Sequence, residues 1–498
     1  MPPTLLDDPS AAPTPGASPA HAPAAPRRLT EAERAARVRF RRALTLMVMT
    51  LVLPGSAQLV AGDRRVGIAA LRTWFGLLVG AALLLLVGLV DRRLAFDLLS
   101  DTGALGTLRW LLVLVAVGWA ALFVDAWRIG QPLTLRREQR LAVVGVNGVL
   151  CFTVAGALLF GAHLVTVQRD LVGALFASGE ASGATDGRYN VLLLGGDAGA
   201  GRWGLRPDSI TVASIDAETG RTVLIGLPRN LEDFPFREGS VMAEQFPDGF
   251  DCDGCYLNGV STWAQDNPEL FQGDGDPGVK ATVQAVEGIT DLTINYWAMV
   301  NLEGFKALVD AVGGVELTVR DRIPVGGLGS DVTGYIEPGT RVLDGFETLW
   351  FARAREGSDD YSRMARQKCV MNALVQQVSP QDALTNFQGI AEAGASMVDT
   401  NLPASAVGTF VDLALKARSQ PISTVSLVPP LINTADPDMD VVHDAVATAI
   451  AKAEGEGDEG GAGERKARRA PATQTGGSLG SRDAGYAANE ASDLGSAC

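Results

Sequence analysis

Histidine is nearly absent from this chain: three occur in 498 residues, His21, His163 and His443. His21 lies in an Ala/Pro-rich stretch and His163 in an apolar run, which leaves His443 alone in the acidic body. A multi-His zinc centre is therefore excluded, and a Ser-His-Asp triad has no sequence context. Charge is sparse as well. Asp, Glu, Lys and Arg make up 20% of the chain against 47% apolar residues, which suits a membrane-anchored protein better than a soluble enzyme. There is no Gly-x-x-x-x-Gly-Lys-Ser/Thr loop, so nucleotide binding by that route is unsupported. No cleavable signal peptide is expected, because the first apolar run starts late and lacks a small-residue cleavage site. Chemistry must come from Asp, Glu, Arg, Tyr, Ser or Cys.

The net charge of −15 is unevenly spread. Residues 1–171 hold 18 basic and 11 acidic side chains, residues 172–452 hold 19 and 38, and residues 453–498 hold 5 and 8. A body with twice as many acids as bases is not a nucleic-acid binder by bulk charge.

Residues 1–42 read as a disordered, basic cytoplasmic tail. Their first 30 positions are Pro, Ala, Ser and Thr without apolar period, and Arg27, Arg28, Arg34, Arg37, Arg39, Arg41 and Arg42 follow. The membrane region covers 43–167, with spans at about 68–90, 109–127 and 141–166. The stretch 43–61 differs, because Pro54-Gly55-Ser56 and Gln58 interrupt it. Read as re-entrant, it leaves the early arginines, Arg64, Arg65, Arg128, Arg136, Arg137 and Arg140 on one side, as the positive-inside rule asks. Three spans then put the body outside the plasma membrane.

From Asn190 the pattern is α/β. Val191-Leu-Leu-Leu, Ile210-Thr-Val-Ala-Ser-Ile, Thr222-Val-Leu-Ile-Gly-Leu, Ile294-Asn-Tyr-Trp-Ala-Met-Val, Val315-Glu-Leu-Thr-Val, Leu349-Trp-Phe-Ala-Arg-Ala-Arg and Thr424-Val-Ser-Leu-Val read as strands. Helical patterns fall at about 279–288, 302–311, 362–378, 381–396, 403–417 and 439–453. The alternation predicts a layered α-β-α domain with a central mixed sheet over 187–452. Residues 453–498 read as a disordered low-complexity tail. The Cys252-Asp-Gly-Cys255 step leaves open a small disulfide loop, free thiols or a redox pair.

Carboxylates and arginines gather where strands and helices end. Asp197 follows the first strand, Arg206 and Asp208 open the next, and Arg229 follows the third. Arg353 and Arg355, two apart on an expected strand, would share a face. Asp360 opens a helix on which Arg363 and Arg366 lie one turn apart. Clustered guanidiniums suit phosphate or pyrophosphate, and neighbouring carboxylates suit Mg²⁺. Facing outward from a membrane, such a site suits a lipid-linked pyrophosphate.

Those segments are also where the chain resembles the LytR-CpsA-Psr family of cell-wall glycopolymer transferases. The resemblance covers about 189–379 and runs through NVLLLGGDAG, LRPDSITVASIDAETGRTVLIGLPRN, NLEGFKALVDAVGGVEL, LDGFETLWFARAR and DDYSRMARQ in the family's order. The membrane segments and the CDGC insert look like the actinobacterial branch, a setting that suggests arabinogalactan or another secondary polymer. The resemblance implies a multi-pass protein of the cell membrane that takes a glycopolymer from a polyprenyl-pyrophosphate carrier. It would attach the polymer through a phosphodiester to peptidoglycan, with Mg²⁺.

Carried over residue by residue, Asp197 and Asp208 match the metal-binding acids, with Arg206 beside them. Arg229 matches the arginine of a Pro-Arg-Asp motif, and Arg353, Arg355 and Arg363 match pyrophosphate-binding arginines. Asp360, Arg366 and Gln367 fall in the same motif as Arg363. The acceptor hydroxyl's proton would go to Asp208 or Asp360. Asn230 stands where the family usually has Asp, and Arg202 is the nearest arginine after Asp197. Two other readings compete: a lipid-pyrophosphate hydrolase, and a non-catalytic membrane scaffold or lipid sensor.

Overall fold

A computed structural model describes residues 31–90, 98, 101–176, 181–196, 206–273, 275–327, 329–378, 398–455 and 489–498. The chain divides into two compact units, Met1–Leu78 with Leu114–Leu158, and Val79–Val113 with Leu159–Cys498.

The N-terminal part is helical: α1 (Glu31–Val52), α2 (Ser56–Ala61), α3 (Arg64–Val90), α4 (Thr102–Ile129) and α5 (Arg137–Leu175). Three stretches are long and apolar enough to cross a membrane by length and composition: Arg64–Gly88, Thr102–Thr134 and Arg137–Asp170. The stretch 43–61 is split between α1 and α2. Pro54 cannot continue the helix, and Gly55 takes a φ of 92° that a Cβ would oppose. Side chains answer the freed carbonyls. Ser56 Oγ donates to Met49 O at 2.8 Å, and Trp119 Nε1 donates to Thr50 O at 3.0 Å. Gln58, fully buried, donates Nε2 to Leu122 O at 3.0 Å.

The second unit is built on a seven-stranded sheet ordered β11-β10-β3-β2-β1-β4-β9. Its members are β1 (Arg188–Gly196), β2 (Pro207–Asp216), β3 (Thr222–Leu227), β4 (Tyr296–Asn301), β9 (Val398–Thr400), β10 (Ser423–Ser426) and β11 (Glu490–Ala491). β1/β4 and β3/β10 run parallel and the other pairs antiparallel, so the sheet is mixed as expected. Alternate residues face opposite layers. Leu192, Leu194, Ile210, Val212, Val223 and Ile225 pack in one core cluster with Val279, Ala285 and Ile289 of helix α8 (Pro277–Thr290). Ala213 and Leu224 point the other way, against Ala365 and Cys369. The strong start of α8 is written locally: Asp276 accepts from Gly278 N and Val279 N, with Pro277 next to it.

Between β3 and α8 lie α6 (Val241–Gln245) and α7 (Val260–Asp266), and β4 leads into α9 (Leu302–Ala311). A smaller lobe then pairs β5 (Val315–Val319) with β8 (Gly339–Leu343), and β6 (Ile323–Val325) with β7 (Gly334–Ile336). The chain continues through α10 (Gly345–Arg353), α11 (Asp360–Gln377), α12 (Val407–Ala417), α13 (Met439–Glu454) and α14 (Leu494–Ala497). The helix expected at 381–396 lies outside the described residues.

Two expectations are corrected. The run Leu349–Arg353 is not a strand but the end of α10. Asp344 caps that helix by accepting from Glu347 N at 2.8 Å, and Gly345, Thr348, Leu349 and Ala352 bury at helical spacing. The end of the chain, expected to lack structure, folds over its last ten residues. β11 pairs with β10, Leu494 is fully buried, and Cys498 forms a disulfide with Cys369 of α11. Cys252 and Cys255 form a second disulfide, so they are not free thiols.

Candidate active site

Antiparallel pairing sets the frame. β2 starts where β1 and β3 finish: Pro207 lies opposite Gly196, and Ile210 opposite Leu227. Asp208 and Arg229 therefore meet at one end of the sheet, Arg229 Nη1 donating to Asp208 Oδ1 at 2.5 Å. The N-terminus of α11 comes to the same edge, capped by Asp359, which accepts from Ser362 N. Arg355 arrives from the loop between α10 and α11.

Asp360 is the hub. Arg363 grips it with two bonds, Nη2 to Oδ2 at 2.9 Å and Nε to Oδ1 at 3.1 Å. Arg229 Nε lies 3.5 Å and Arg355 Nη1 3.6 Å from Asp360 Oδ1. Arg363 also donates to the carbonyl of Asp208 at 2.8 Å, locking helix to strand. Three guanidiniums from three segments thus share one carboxylate, beside a second, Asp208, that is 40% exposed.

Electrostatics follow from that crowding. Burial favours the neutral acid at Asp360, but Arg363, Arg229 and Arg355 outweigh it and hold the carboxyl below its usual value. Burial pulls Arg229 down, yet Asp360 and Asp208 prevail and raise it. Arg355 is lowered, first by burial and then by the like charge of Arg229. The cluster holds more positive than negative charge in a segment whose overall balance is strongly acidic.

Of the other expected residues, Arg206 is exposed and donates Nη2 to Asn258 Oδ1 at 2.8 Å. Gln367 is a backing residue: Ser209 Oγ donates to its Oε1 at 3.0 Å, and its Nε2 donates to Ala352 O at 3.3 Å. Arg366 is fully buried and donates Nη2 to Ala354 O, while its Nε and Nη1 have no partner among the described residues. Burial and the nearby Arg363 push it down to about 10. Arg353 does not join the cluster. On a strand it would face the same way as Arg355, whereas the helix turns it outward over the Trp350 ring, 5.0 Å from the centroid. Asp197 and Arg202 lie outside the described residues. Asn230 sits beside Arg229, half-buried, with its Oδ1 unpartnered among the described residues.

Sequence reasoning missed Asn258. Its Oδ1 holds Arg206 and its N–H donates to Arg229 O at 3.0 Å, so it braces both arginines. The disulfide loop three residues earlier is the only sequence cue to an ordered turn there. Lys368 was missed too. It is 1% exposed, lies against β3 where a Cβ on Gly226 would fall 2.9 Å from Nζ, and donates to Ser426 Oγ. Burial pushes Lys368 down to about 7 from the ordinary 10.5. Between those values the unfolded chain binds a proton that the folded chain has released, so stability rises with pH across that window. The melting temperature of the detergent-solubilised chain should accordingly rise from pH 7 to pH 9.5 by about 4 °C more than that of Lys368→Met. Equal pH profiles for the two proteins would refute the assignment.

The chain has relatives among known proteins. The LytR_cpsA_psr family model matches residues 168–436. The chain belongs to this family. Biofilm regulatory protein A of Streptococcus mutans is 26% identical over 225 residues, 44% of this chain and 50% of that protein. The polyisoprenyl-teichoic acid–peptidoglycan teichoic acid transferase TagU of Oceanobacillus iheyensis is 27% identical over 241 residues, 48% of this chain and 66% of its own. This family member thus spans half to just under two thirds of the length of these relatives. The crystal structure of B. subtilis TagV matches 54% of this chain and 98% of its own, at 21% identity and a TM-score of 0.39.

Proposed function

We propose that this protein is a membrane-anchored phosphotransferase. It moves a glycopolymer from a polyprenyl-pyrophosphate carrier to a hydroxyl of peptidoglycan, forming a phosphodiester. The observation that carries this reading is the convergence of Arg229, Arg355 and Arg363 on Asp360, a cation-rich site open to an anion. The names of the teichoic acid transferases it resembles support the reaction class.

In the reaction, the acceptor oxygen attacks the phosphorus bearing the glycan. The bond from that phosphorus to the bridging oxygen breaks, and polyprenyl phosphate leaves. Arg229, Arg355 and Arg363 stabilise charge on the transferring phosphoryl group and on the leaving phosphate. Asp360, held ionised by its three partners, is a weak base and serves to orient them. Asp208, the more exposed acid, takes the hydroxyl's proton. Arg206 completes the rim, and Gln367 and the buried Arg366 hold α11 in place beneath it.

Mg²⁺ fits this reading. The described residues contain no group of three or more His, Cys, Asp or Glu that could cage a metal. Mg²⁺ keeps several waters and shares phosphate oxygens, so one or two carboxylates suffice. Asp208 and Asp197 would hold it, and it would neutralise charge on the diphosphate when bound. The three apolar helices would anchor the chain as a multi-pass protein, with the α/β domain on the outer face. The actinobacterial branch, and arabinogalactan as one of its polymers, belong to the same proposal.

The test is a transfer assay on the detergent-solubilised chain, using a polyprenyl-pyrophosphate oligosaccharide and a peptidoglycan glycan acceptor. Acceptor-linked phosphosugar is expected, lost with EDTA and restored by Mg²⁺. Saccharide phosphate released equally without acceptor would favour a hydrolase. A lipid donor bound but never turned over would favour a scaffold.

A further inference from the structure

The helical unit carries a second cluster of arginines that the transfer reaction does not use. Before position 172 the chain has 18 arginines and no lysine; the first lysine is Lys280. Ten of those arginines fall in three short segments, 37–42, 64–65 and 128–140, which hold a single acid between them, Glu138. Packing brings the segments together. Phe40 and Ala43 of α1 pack with Trp127 and Leu135, and a Cβ on Gly130 would lie 3.1 Å from that of Ala43. The break at Pro54-Gly55 then turns the chain back. A Cβ on Gly62, two residues before Arg64, would fall 2.5 Å from Ile129 Cδ1. The interruption of the apolar run 43–61 thus returns Arg64 and Arg65 to the same end as the arginines of α1 and of the α4–α5 turn.

These cations are open and unneutralised. Arg37, Arg41, Arg42, Arg64, Arg128 and Arg137 are exposed, and none of the six enters an ion pair among the described residues. Asp63, the acid next to Arg64, accepts instead from Arg65 N at 2.8 Å. Like charges gathered in this way repel one another and are stabilised by anions. Orientation by the positive-inside rule asks only for charge and takes lysine as well, whereas a guanidinium adds a planar fork that fits paired phosphate oxygens. The neighbouring surface says which phosphate. Leu133 is 76% exposed in the turn between Arg128 and Arg136, Leu141 is exposed directly after Arg140, and Val38 is exposed between Arg37 and Arg39. Apolar side chains standing out among guanidiniums are unfavourable in water and favourable at the boundary of headgroups and acyl chains. A free phosphate or an acidic soluble protein would satisfy the arginines and leave the leucines in water.

We infer that these three segments form a binding site for the headgroups of anionic phospholipids. This rests on the reading of the three apolar helices as membrane spans. Bound headgroups neutralise the repulsion among the segments and so hold the α1–α2 hairpin against the α4–α5 turn.

The test titrates the full chain, in a nonionic detergent, with dioleoyl phosphatidylglycerol or dioleoyl phosphatidylcholine and follows bound lipid by native mass spectrometry. The wild type should bind phosphatidylglycerol about tenfold more tightly than the zwitterionic lipid. One arginine near an anionic lipid surface is worth about fivefold in binding, so Arg37→Gln, Arg41→Gln and Arg128→Gln combined should reduce the preference to about twofold or less. The same three positions changed to lysine should give an intermediate preference, since an ammonium keeps the charge without the fork. Arg341→Gln, at an exposed position of the α/β unit, should leave the preference as it is. Equal binding of the two lipids by the wild type would overturn the site, as would an undiminished preference in the triple glutamine variant. Glycerophosphoglycerol, the same headgroup without acyl chains, should bind far more weakly than the lipid; equal affinity would make this a site for soluble anions and overturn the lipid assignment. Those outcomes leave the anchoring intact. Release of the chain from membranes by alkaline carbonate, without detergent, would instead overturn the spans and the lipid site with them.

Discussion

Arg229→Ala should lower the rate of glycan transfer by about 10³-fold while leaving the protein folded. Arg229 pairs with both carboxylates of the site, Asp208 at 2.5 Å and Asp360 at 3.5 Å, whereas Arg363 reaches only the backbone carbonyl of Asp208. Those contacts also keep its guanidinium charged: burial alone would pull it down, and the two carboxylates reverse the effect. A fixed charge that needs no reorganisation as the phosphoryl group transfers is the kind of group whose loss appears in kcat. The protein should stay folded, because Asp360 keeps Arg363 and Arg355 as partners when Arg229 is removed and is not left an unpaired buried charge. Arg229→Lys should recover little, since one ammonium cannot present two N–H edges to two carboxylates and a phosphate together. The measurements are initial rates of acceptor-linked product and a melting curve for each variant. A fall in KM-dependent binding with kcat intact would assign Arg229 to ground-state binding. Unchanged kinetics would remove it from the site.

The same residues show which parts of the architecture can be read in sequence. β1, β2 and β3 were legible because alternation places Leu192 and Leu194 on one face and Leu193 on the other, a period that survives without tertiary information. The cluster was legible at Asp208, Arg229, Arg355, Asp360 and Arg363, because charged residues at strand ends and helix starts converge in a layered fold. Leu349–Arg353 was misread because three consecutive large apolar residues fit a buried strand as well as a helix. The Asp344-x-x-Glu347 cap was the local cue that decides for helix. The helix is what takes Arg353 away from the cluster and lays it over the Trp350 ring. Asn258 and Ser426 could not be found this way. Each is a single polar residue whose partner lies 52 or 58 positions away, a distance that no periodicity encodes. The closing segment escaped for a related reason: Leu494 and Cys498 anchor it, but two contacts in ten residues make no pattern.

Cys498→Ser should cost the α/β unit about 4 to 5 kcal/mol, a large part of the stability of an ordinary domain. The Cys369–Cys498 bond spans a sequence separation of 129, so it removes a large amount of loop entropy from the unfolded chain. It also acts on a loaded point. Cys369 lies on α11, the helix that carries Asp360 and Arg363 into the site. The segment it tethers reaches the same helix by a second route, since Asn489 donates Nδ2 to Tyr361 O at 2.9 Å and accepts from Ser426 Oγ at 2.8 Å. Without the bond, two backbone pairs with β10, the two Asn489 hydrogen bonds and one buried leucine hold the segment. Cys252–Cys255 supplies the internal comparison. Its separation of 3 predicts a cost of about 1.5 kcal/mol for Cys252→Ser with Cys255→Ser. Denaturant unfolding of the three proteins under non-oxidising handling measures the difference directly. Equal losses from the two bonds would show that local packing, not the length of chain each bond closes, sets their worth. A large loss confined to Cys498→Ser, with transfer falling in step at the growth temperature, would make the closing segment a structural condition of the arginine cluster.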